Sequence, residues 1–359
     1  MFGSPDRVFS ASTDELATVP GVGPKTAACL SDPVGRRSAR ERAGRLLEEL
    51  AEGETGILCP DDVFYPRRLL EIADPPPVLF YRGDPTCLDR PAVALVGSRA
   101  ATSYGKRVSF ELARGLARHN IGVVSGLAAG IDGEAHAGAL AGGGWTAGVL
   151  GCGPDIIYPP GNSGLYEKVA GQGVILSEYP PGTPPDGFRF PERNRIISGM
   201  TLGTIVAEAT LKSGSLITAS LALDQGREVF AVPGRIDSPK SRGANRLIQM
   251  GARLVTCVED VLEELDLAGI LSHDADDPPA GEKVELSEEE ARLLACLGET
   301  ALTIDELQQR SGCDGGTISR LLLQLELKGL VNRLPGQQYE RKPDIPAGLS
   351  NSRTARKLE

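Results

Sequence analysis

GTIVAEATLKSGSLITASLALDQGREVFAVP, residues 203–233, is the stretch that decides the fold. Residues 204–209 read as a buried strand, 210–215 as a loop, the following apolar-periodic stretch as a helix, and 229–232 as a second strand. The loop Lys212-Ser213-Gly214-Ser215 has the composition of an anion site. Gly214 lets backbone approach closely, and the first N–H groups of the helix lack partners. The helix dipole adds positive potential, and Lys212 adds a full charge.

Working outward, apolar strands are predicted near residues 92–96, 122–124, 147–150, 174–176 and 254–255, alternating with helices over residues 92–266. Near-continuous apolar strands separated by helices predict a doubly wound, mostly parallel α/β sheet covered on both faces. Ligands in such folds lie beyond the C-terminal ends of the strands. Small and hydroxyl residues gather there: Gly97-Ser98-Arg99, Ser125-Gly126, Gly151-Cys152-Gly153 and the Lys212–Ser215 loop. Any one glycine loop is weak evidence; four on one edge predict an open floor rich in donors. Between the fourth and fifth strands, Phe188-Arg189-Phe190-Pro191-Glu192-Arg193-Asn194-Arg195 combines guanidinium forks with aromatic faces. The competing reading puts Phe190 in the core and pairs the arginines with Glu192 and Glu208.

At 359 residues the chain has room for two or three domains. There is no run of about 18 apolar residues and no basic-then-apolar start, so a cytoplasmic protein with no membrane contact is expected. Seven cysteines without a CxxC pair argue against a disulfide framework or a zinc site. The net charge of −10 is uneven: residues 259–290 hold thirteen acidic and one basic side chain, whereas residues 182–253 hold ten basic and six acidic ones. A locally basic site fits; a uniformly basic protein does not. Asp132 and His136 share a helix face at i, i+4. Only three histidines exist in the chain, so Asp132 is read as a helix cap with His136 as its structural partner, and no metal or cofactor is expected.

Two smaller modules flank the sheet. In residues 13–30, Gly21, Gly23 and Lys25 fit a helix-hairpin-helix whose N–H groups and lysine grip a DNA backbone phosphate; a packing module touching nothing is the alternative. Residues 285–341 fit a winged helix-turn-helix, opened by the capping box Ser287–Glu290. Its third helix offers only Ser319, Arg320, Gln324 and Lys328 as outward polar groups, so duplex DNA and another protein are equal candidates as its partner. The expected division is 1–58 helical, 59–266 the sheet domain, 267–283 an acidic linker, 284–342 the winged helix and 343–359 a disordered tail.

The strings LVGSRAATSYG (95–105), SGLAAGIDGEAHAGAL (125–140), GVLGCGPDIIYPPGN (148–162), SEYPPGTPP (177–185), FPERNRIISGM (190–200), EATLKSGSLITASLALDQGREVFAVPG (208–234) and GANRLIQMGARLV (243–255) together resemble the bacterial DNA-processing protein A family, DprA or Smf. The resemblance implies an extended Rossmann domain that binds single-stranded DNA without catalytic turnover. It also implies a homodimer that helps load RecA recombinase during natural transformation. On the residues, Arg99, Arg193, Arg195 and Lys212 are expected to contact phosphates. Gly97, Ser98, Ser125, Gly126, Asn194, Ser213, Gly214 and Ser215 are expected to line the strand, with Phe190 stacking on a base. Four neutralised phosphates predict a log–log salt slope of about −3. Leu247, Ile248 and Met250 are candidate dimer contacts. A rival is an enzyme: Gly203-Thr204-Ile205-Val206-Ala207-Glu208 resembles part of the nucleoside-monophosphate phosphoribohydrolases, but the glycines that precede it in those proteins are missing here. A dinucleotide cofactor is disfavoured, because no GxGxxG follows the first strand.

Overall fold

Nine strands form one sheet in a computed structural model of the chain. They are β1 (Gly56–Leu58), β2 (Leu79–Gly83), β3 (Ala92–Gly97), β4 (Gly122–Ser125), β5 (Thr146–Leu150), β6 (Val174–Ser177), β7 (Gly203–Glu208), β8 (Glu228–Ala231) and β9 (Arg253–Leu254). The structure describes residues 2, 5–267, 287–297, 302–328, 330–334 and 338–341. The spatial order is β1-β2-β6-β5-β4-β3-β7-β8-β9, with β3 through β9 parallel and β1 and β2 antiparallel. All seven strands expected from the sequence are present. The two antiparallel ones are short and carry no clear apolar alternation, so the sequence reading passed over them.

Period-two burial explains why helices cover both faces. On β3, Ala92, Ala94 and Val96 enter one core and Val93 and Leu95 the other. The first core is roofed by α8 (Arg189–Gly199), α9 (Ser215–Asp224) and α10 (Arg242–Gln249). The second is roofed by α5 (Ser103–Arg118), α6 (Ile131–Ala141) and α11 (Val258–Glu264). α7 (Ser163–Gln172) closes a smaller cluster with Tyr166 and Val169 against Ile175 of β6. Leu112 and Leu116 of α5 are 4% and 0% exposed, and each such burial is worth about 1.5–3 kcal/mol. Thr102 caps α5 by accepting from Gly105 N–H at 3.1 Å.

Ahead of the sheet lie α1 (Pro5–Ser10), α2 (Thr13–Ala17), α3 (Pro24–Ser31) and α4 (Pro33–Glu52). The turn between α2 and α3 needs Gly21 at φ +86°, and Pro24 opens α3. α4, 20 residues long, lies within the expected helical segment and buries none of its side chains.

The described residues divide into two compact units, Met1–Asp274 and Ala275–Glu359. The second contains α12 (Glu288–Cys296), β10 (Leu302–Thr303), α13 (Ile304–Ser311), α14 (Gly315–Leu327), β11 (Val331–Leu334) and β12 (Gln338–Arg341). Its Ser287–Glu290 capping box is present, and β10 adds a third strand to the expected wing. The core is leucine-rich, with Leu307, Ile318, Leu321, Leu322 and Leu325 at helical spacing. Most of the expected linker and all of the expected tail lie outside the described residues. Leu267, placed at the start of that linker, instead packs against the second core of the sheet domain. Among the described residues no helix is long and apolar enough to cross a membrane.

Candidate functional site

From β3 the chain builds outward through β4, β5 and β6, then crosses back to continue through β7, β8 and β9 on the other side. β3 and β7 are therefore neighbours at the point where strand order reverses, and the loops leaving their C-terminal ends diverge. A cleft of about 650 Å³ opens there. Gly97, Ser98 and Arg99 line it from β3, Lys212, Ser213, Gly214 and Ser215 from the β7–α9 loop, and Phe190, Arg193 and Asn194 from α8. A narrower pocket of about 180 Å³ adjoins it, sharing Arg99, Tyr158, Phe190 and Arg193 and reaching Gly126 and Cys152.

The loop after β7 is held by its own side chains. Ser213 Oγ accepts from Thr210 N–H at 2.9 Å, which turns the chain into α9. Ser215 Oγ is buried at the cleft with no hydrogen-bond partner among the described residues. A buried hydroxyl without a partner is unfavourable unless a ligand completes it. Gly214 has φ −61° and ψ −22°, and a Cβ placed there would meet nothing within 4 Å. Neither backbone conformation nor packing within the chain requires glycine at this position, and its lack of a side chain keeps this part of the cleft open.

Arg99 and Lys212 are exposed and form no ion pair among the described residues. The Arg99 guanidinium lies 5.1 Å from the Phe190 ring centroid, and Tyr158 stacks on the same ring at 5.5 Å and 26°. This aromatic pair, with Arg99 over one ring and Lys212 on the same cleft, suits a chain of alternating phosphates and flat bases.

Arg193 plays a different part from the one its motif suggests. It is 5% exposed, yet lines both cavities. Its guanidinium donates to Val149 O and to Gly126 O, the latter at 3.0 Å, while Asp132 Oδ2 accepts from Gly126 N–H at 3.1 Å. The backbone of Gly126 is thus held through both its N–H and its carbonyl, and a Cβ there would lie 2.6 Å from Arg193 Nη2 and 2.7 Å from Asp132 Oδ2. Burial pulls the Arg193 pKa down to about 10, opposed by the Asp132 charge. At neutral pH it stays cationic, a fixed positive charge beneath the cleft. Burial raises the Asp132 pKa, and Arg193 counteracts it.

Several expectations are corrected. Arg195 does not reach the cleft: it forms a bidentate pair with Glu178 at 2.6 and 3.0 Å and meets Asp74 at 3.2 Å. On a helix, residues 193 and 195 point to different sides, so two arginines two apart cannot serve one site. Ser125 is fully buried and donates to Leu95 O at 2.7 Å, bracing two strands. Asp132 does not cap α6, whose N-cap is Gly130. His136 pairs with Thr146 Oγ1 at 2.7 Å rather than with Asp132. Since Thr146 already donates to Val123 O, His136 Nδ1 carries the proton, and burial pushes its pKa down to about 3. Leu247 and Ile248 pack partly against the sheet core, while Met250 is 67% exposed. Tyr158 was missed as a site residue; an aromatic in the loop beyond the Gly151-Cys152-Gly153 strand end was the available signal.

The flanking modules also have definite surfaces. Gly21, Gly23 and Lys25 are exposed on the α2–α3 hairpin. Arg320 of α14 pairs with Glu289 at 3.1 Å, and Lys328, which caps the end of that helix, with Glu290 at 2.8 Å. Both cations of the would-be recognition helix are thereby engaged by α12.

Fold and site define a DNA-handling α/β protein with a helix-hairpin-helix before its sheet and a winged helix after it. Residues 56–266 match the family described as DNA recombination-mediator protein A, residues 277–337 the DprA winged helix domain, and residues 4–31 the helix-hairpin-helix motif. The chain belongs to the DNA recombination-mediator protein A family. It is 34% identical to Protein Smf of Synechocystis over 94% of this chain and 92% of that one. It is 48% identical to DNA processing protein DprA of Streptococcus pneumoniae over 57% and 72% of the two chains. The crystal structure of the S. pneumoniae protein superposes with TM-score 0.61 at 42% identity, covering 67% of this chain and 84% of that one. A Helicobacter pylori DNA processing protein A structure, described for its single-stranded DNA binding mode, gives TM-score 0.55 at 33% identity over 60% and 97%.

Proposed function

We propose that the cleft between β3 and β7 binds single-stranded DNA without reading its sequence, and that the protein delivers the bound strand to RecA recombinase as a cytoplasmic homodimer with no bond-making or bond-breaking step. The observation that carries the binding reading is that exposed Arg99 and Lys212, in no ion pair among the described residues, share one cleft with the buried Ser215 hydroxyl, which has no hydrogen-bond partner among them. Cationic and hydroxyl donors of this kind suit phosphates, which carry no sequence information. The single-stranded DNA binding described for the H. pylori relative supports the same ligand.

The hydrolase rival needs an accessible carboxylate at Glu208. That side chain is 3% exposed and accepts from Thr102 N–H at 3.2 Å and from the Thr102 hydroxyl, tying β7 to the start of α5. This favours binding over turnover. With Arg195 turned to Glu178 and Arg193 buried on the carbonyls of Val149 and Gly126, Arg99 and Lys212 remain as phosphate contacts, and the cleft's share of the log–log salt slope falls to about −1.4, at roughly −0.7 per contact. Titrating single-stranded oligonucleotides of different sequence at several salt concentrations tests this. Arg99→Ala and Lys212→Ala should weaken binding to every sequence about equally; a flat salt response, or loss confined to one sequence, refutes it.

A further inference from the structure

We infer that a second nucleic-acid surface lies in the groove between α1 and α4, outside both the cleft and the α2–α3 hairpin, and that it takes single-stranded DNA. The groove has a volume of about 800 Å³ and is lined by Phe9, Pro33, Arg36, Arg37 and Arg40, with Asp6 the acidic residue on its wall. Arg36 is a structural strut, donating to Leu30 O and, at 3.4 Å, to Ala11 O. Arg37 and Arg40 form no ion pair among the described residues, and Phe9 is 44% exposed.

The charge order along α4 points to an anionic occupant. Residues 33–45 hold five arginines and one glutamate, while residues 46–52 hold three glutamates and no basic residue. The macrodipole acts only within the first and last turns and there favours the opposite signs, so it gives the arginines at 37–45 no reason to gather in this half, and no side chain of α4 is buried. Local helix stability therefore does not account for the pattern, whereas a phosphate chain beside the first three turns does. An exposed phenylalanine ring at the same groove can stack an unpaired base but not one held inside a duplex.

The inference rests on the reading that this protein handles single-stranded DNA, but not on the cleft being the only site. The test uses the full chain. Arg37→Gln/Arg40→Gln, Arg99→Ala/Lys212→Ala and the control Glu48→Gln/Glu49→Gln are titrated with a long oligothymidylate and with a duplex of equal length at several salt concentrations. The Arg37/Arg40 variant is expected to flatten the single-strand salt slope by about 1.4, two contacts at about 0.7 each. Ultraviolet cross-linking of a 5-bromodeoxyuridine strand should label Phe9. An unchanged slope, an effect confined to duplex, or an equal slope change in the control overturns the inference. If the Arg99/Lys212 variant still loses affinity in that case, only the groove falls; if neither variant responds, the cleft reading falls as well.

Discussion

Replacing Arg195 separates the structural account of α8 from the one its motif suggests. The guanidinium is 16% exposed and Glu178 is 23% exposed, so the pair lies between the surface and the interior. Fully buried pairs lose about 3–5 kcal/mol when one partner is removed, and exposed pairs about 0–1. Two short hydrogen bonds at this burial place Arg195→Ala near 2 kcal/mol. Asp74, with 81% of its side chain exposed, adds little. Burial alone would lower the Arg195 pKa, but its hydrogen bonds and charges from Glu178 and Asp74 raise it instead. For a unit of this size, about 2 kcal/mol corresponds to a fall in Tm of roughly 4–8 °C. Differential scanning fluorimetry and oligonucleotide anisotropy should therefore diverge: Arg195→Ala loses stability and keeps its affinity at temperatures where it is folded, with the same salt slope. Glu178→Gln should lose a similar amount, and the double variant less than the sum of the two. A protein of unchanged Tm that no longer binds DNA would refute the assignment and return Arg195 to the phosphate set.

Gly214→Ala should leave stability unchanged or raise it by about 0.4–1 kcal/mol, because its φ suits alanine, yet weaken single-strand affinity; equal binding by both proteins in anisotropy would show that no ligand approaches there. Phe190→Leu should lower affinity by about 1–3 kcal/mol at constant salt slope, the signature of lost stacking without a lost phosphate contact; calorimetric titration measures it, and a change in slope with no loss of affinity would contradict it. His136, with its pKa depressed from 6.5 to about 3, refuses a proton that the unfolded chain accepts. Stability should thus fall by up to about 1.4 kcal/mol per pH unit as pH drops below 6.5. Urea denaturation at pH 7.5, 6.5 and 5.5 checks this, with His136→Gln expected to flatten the trend; the same trend in that variant would place its origin elsewhere.

Much of the sheet domain was legible because its signals are local. Apolar runs such as 92–96 and 204–209 can be read without tertiary knowledge, and small residues at four successive strand ends mark one edge. What stayed hidden depends on where side chains point across elements. Arg193 and Arg195 belong to one basic string, but helical rotation sends one beneath the cleft and the other to Glu178. Asp132 and His136 share a helix face, but different strand-end groups claim them: the Gly126 N–H and the Thr146 hydroxyl. Ser125 looked like a donor for a ligand, and an adjacent strand's carbonyl satisfies it first. β1 and β2 escaped notice because neither stands out as an apolar run: β1 is Gly-Ile-Leu alone and β2 ends in Tyr81-Arg82-Gly83.

The brevity of the outermost strands has a consequence for a protein that would sit side by side with its own copies on one polynucleotide. One margin of the sheet ends in the three residues of β1 and the other in the two of β9, where exposed Arg253 carries a charge. Strands this short, with a cation at one of them, offer too few free backbone groups to template lateral growth from molecule to molecule. Crowding along a bound strand therefore need not turn into a cross-β polymer through the margins of this sheet.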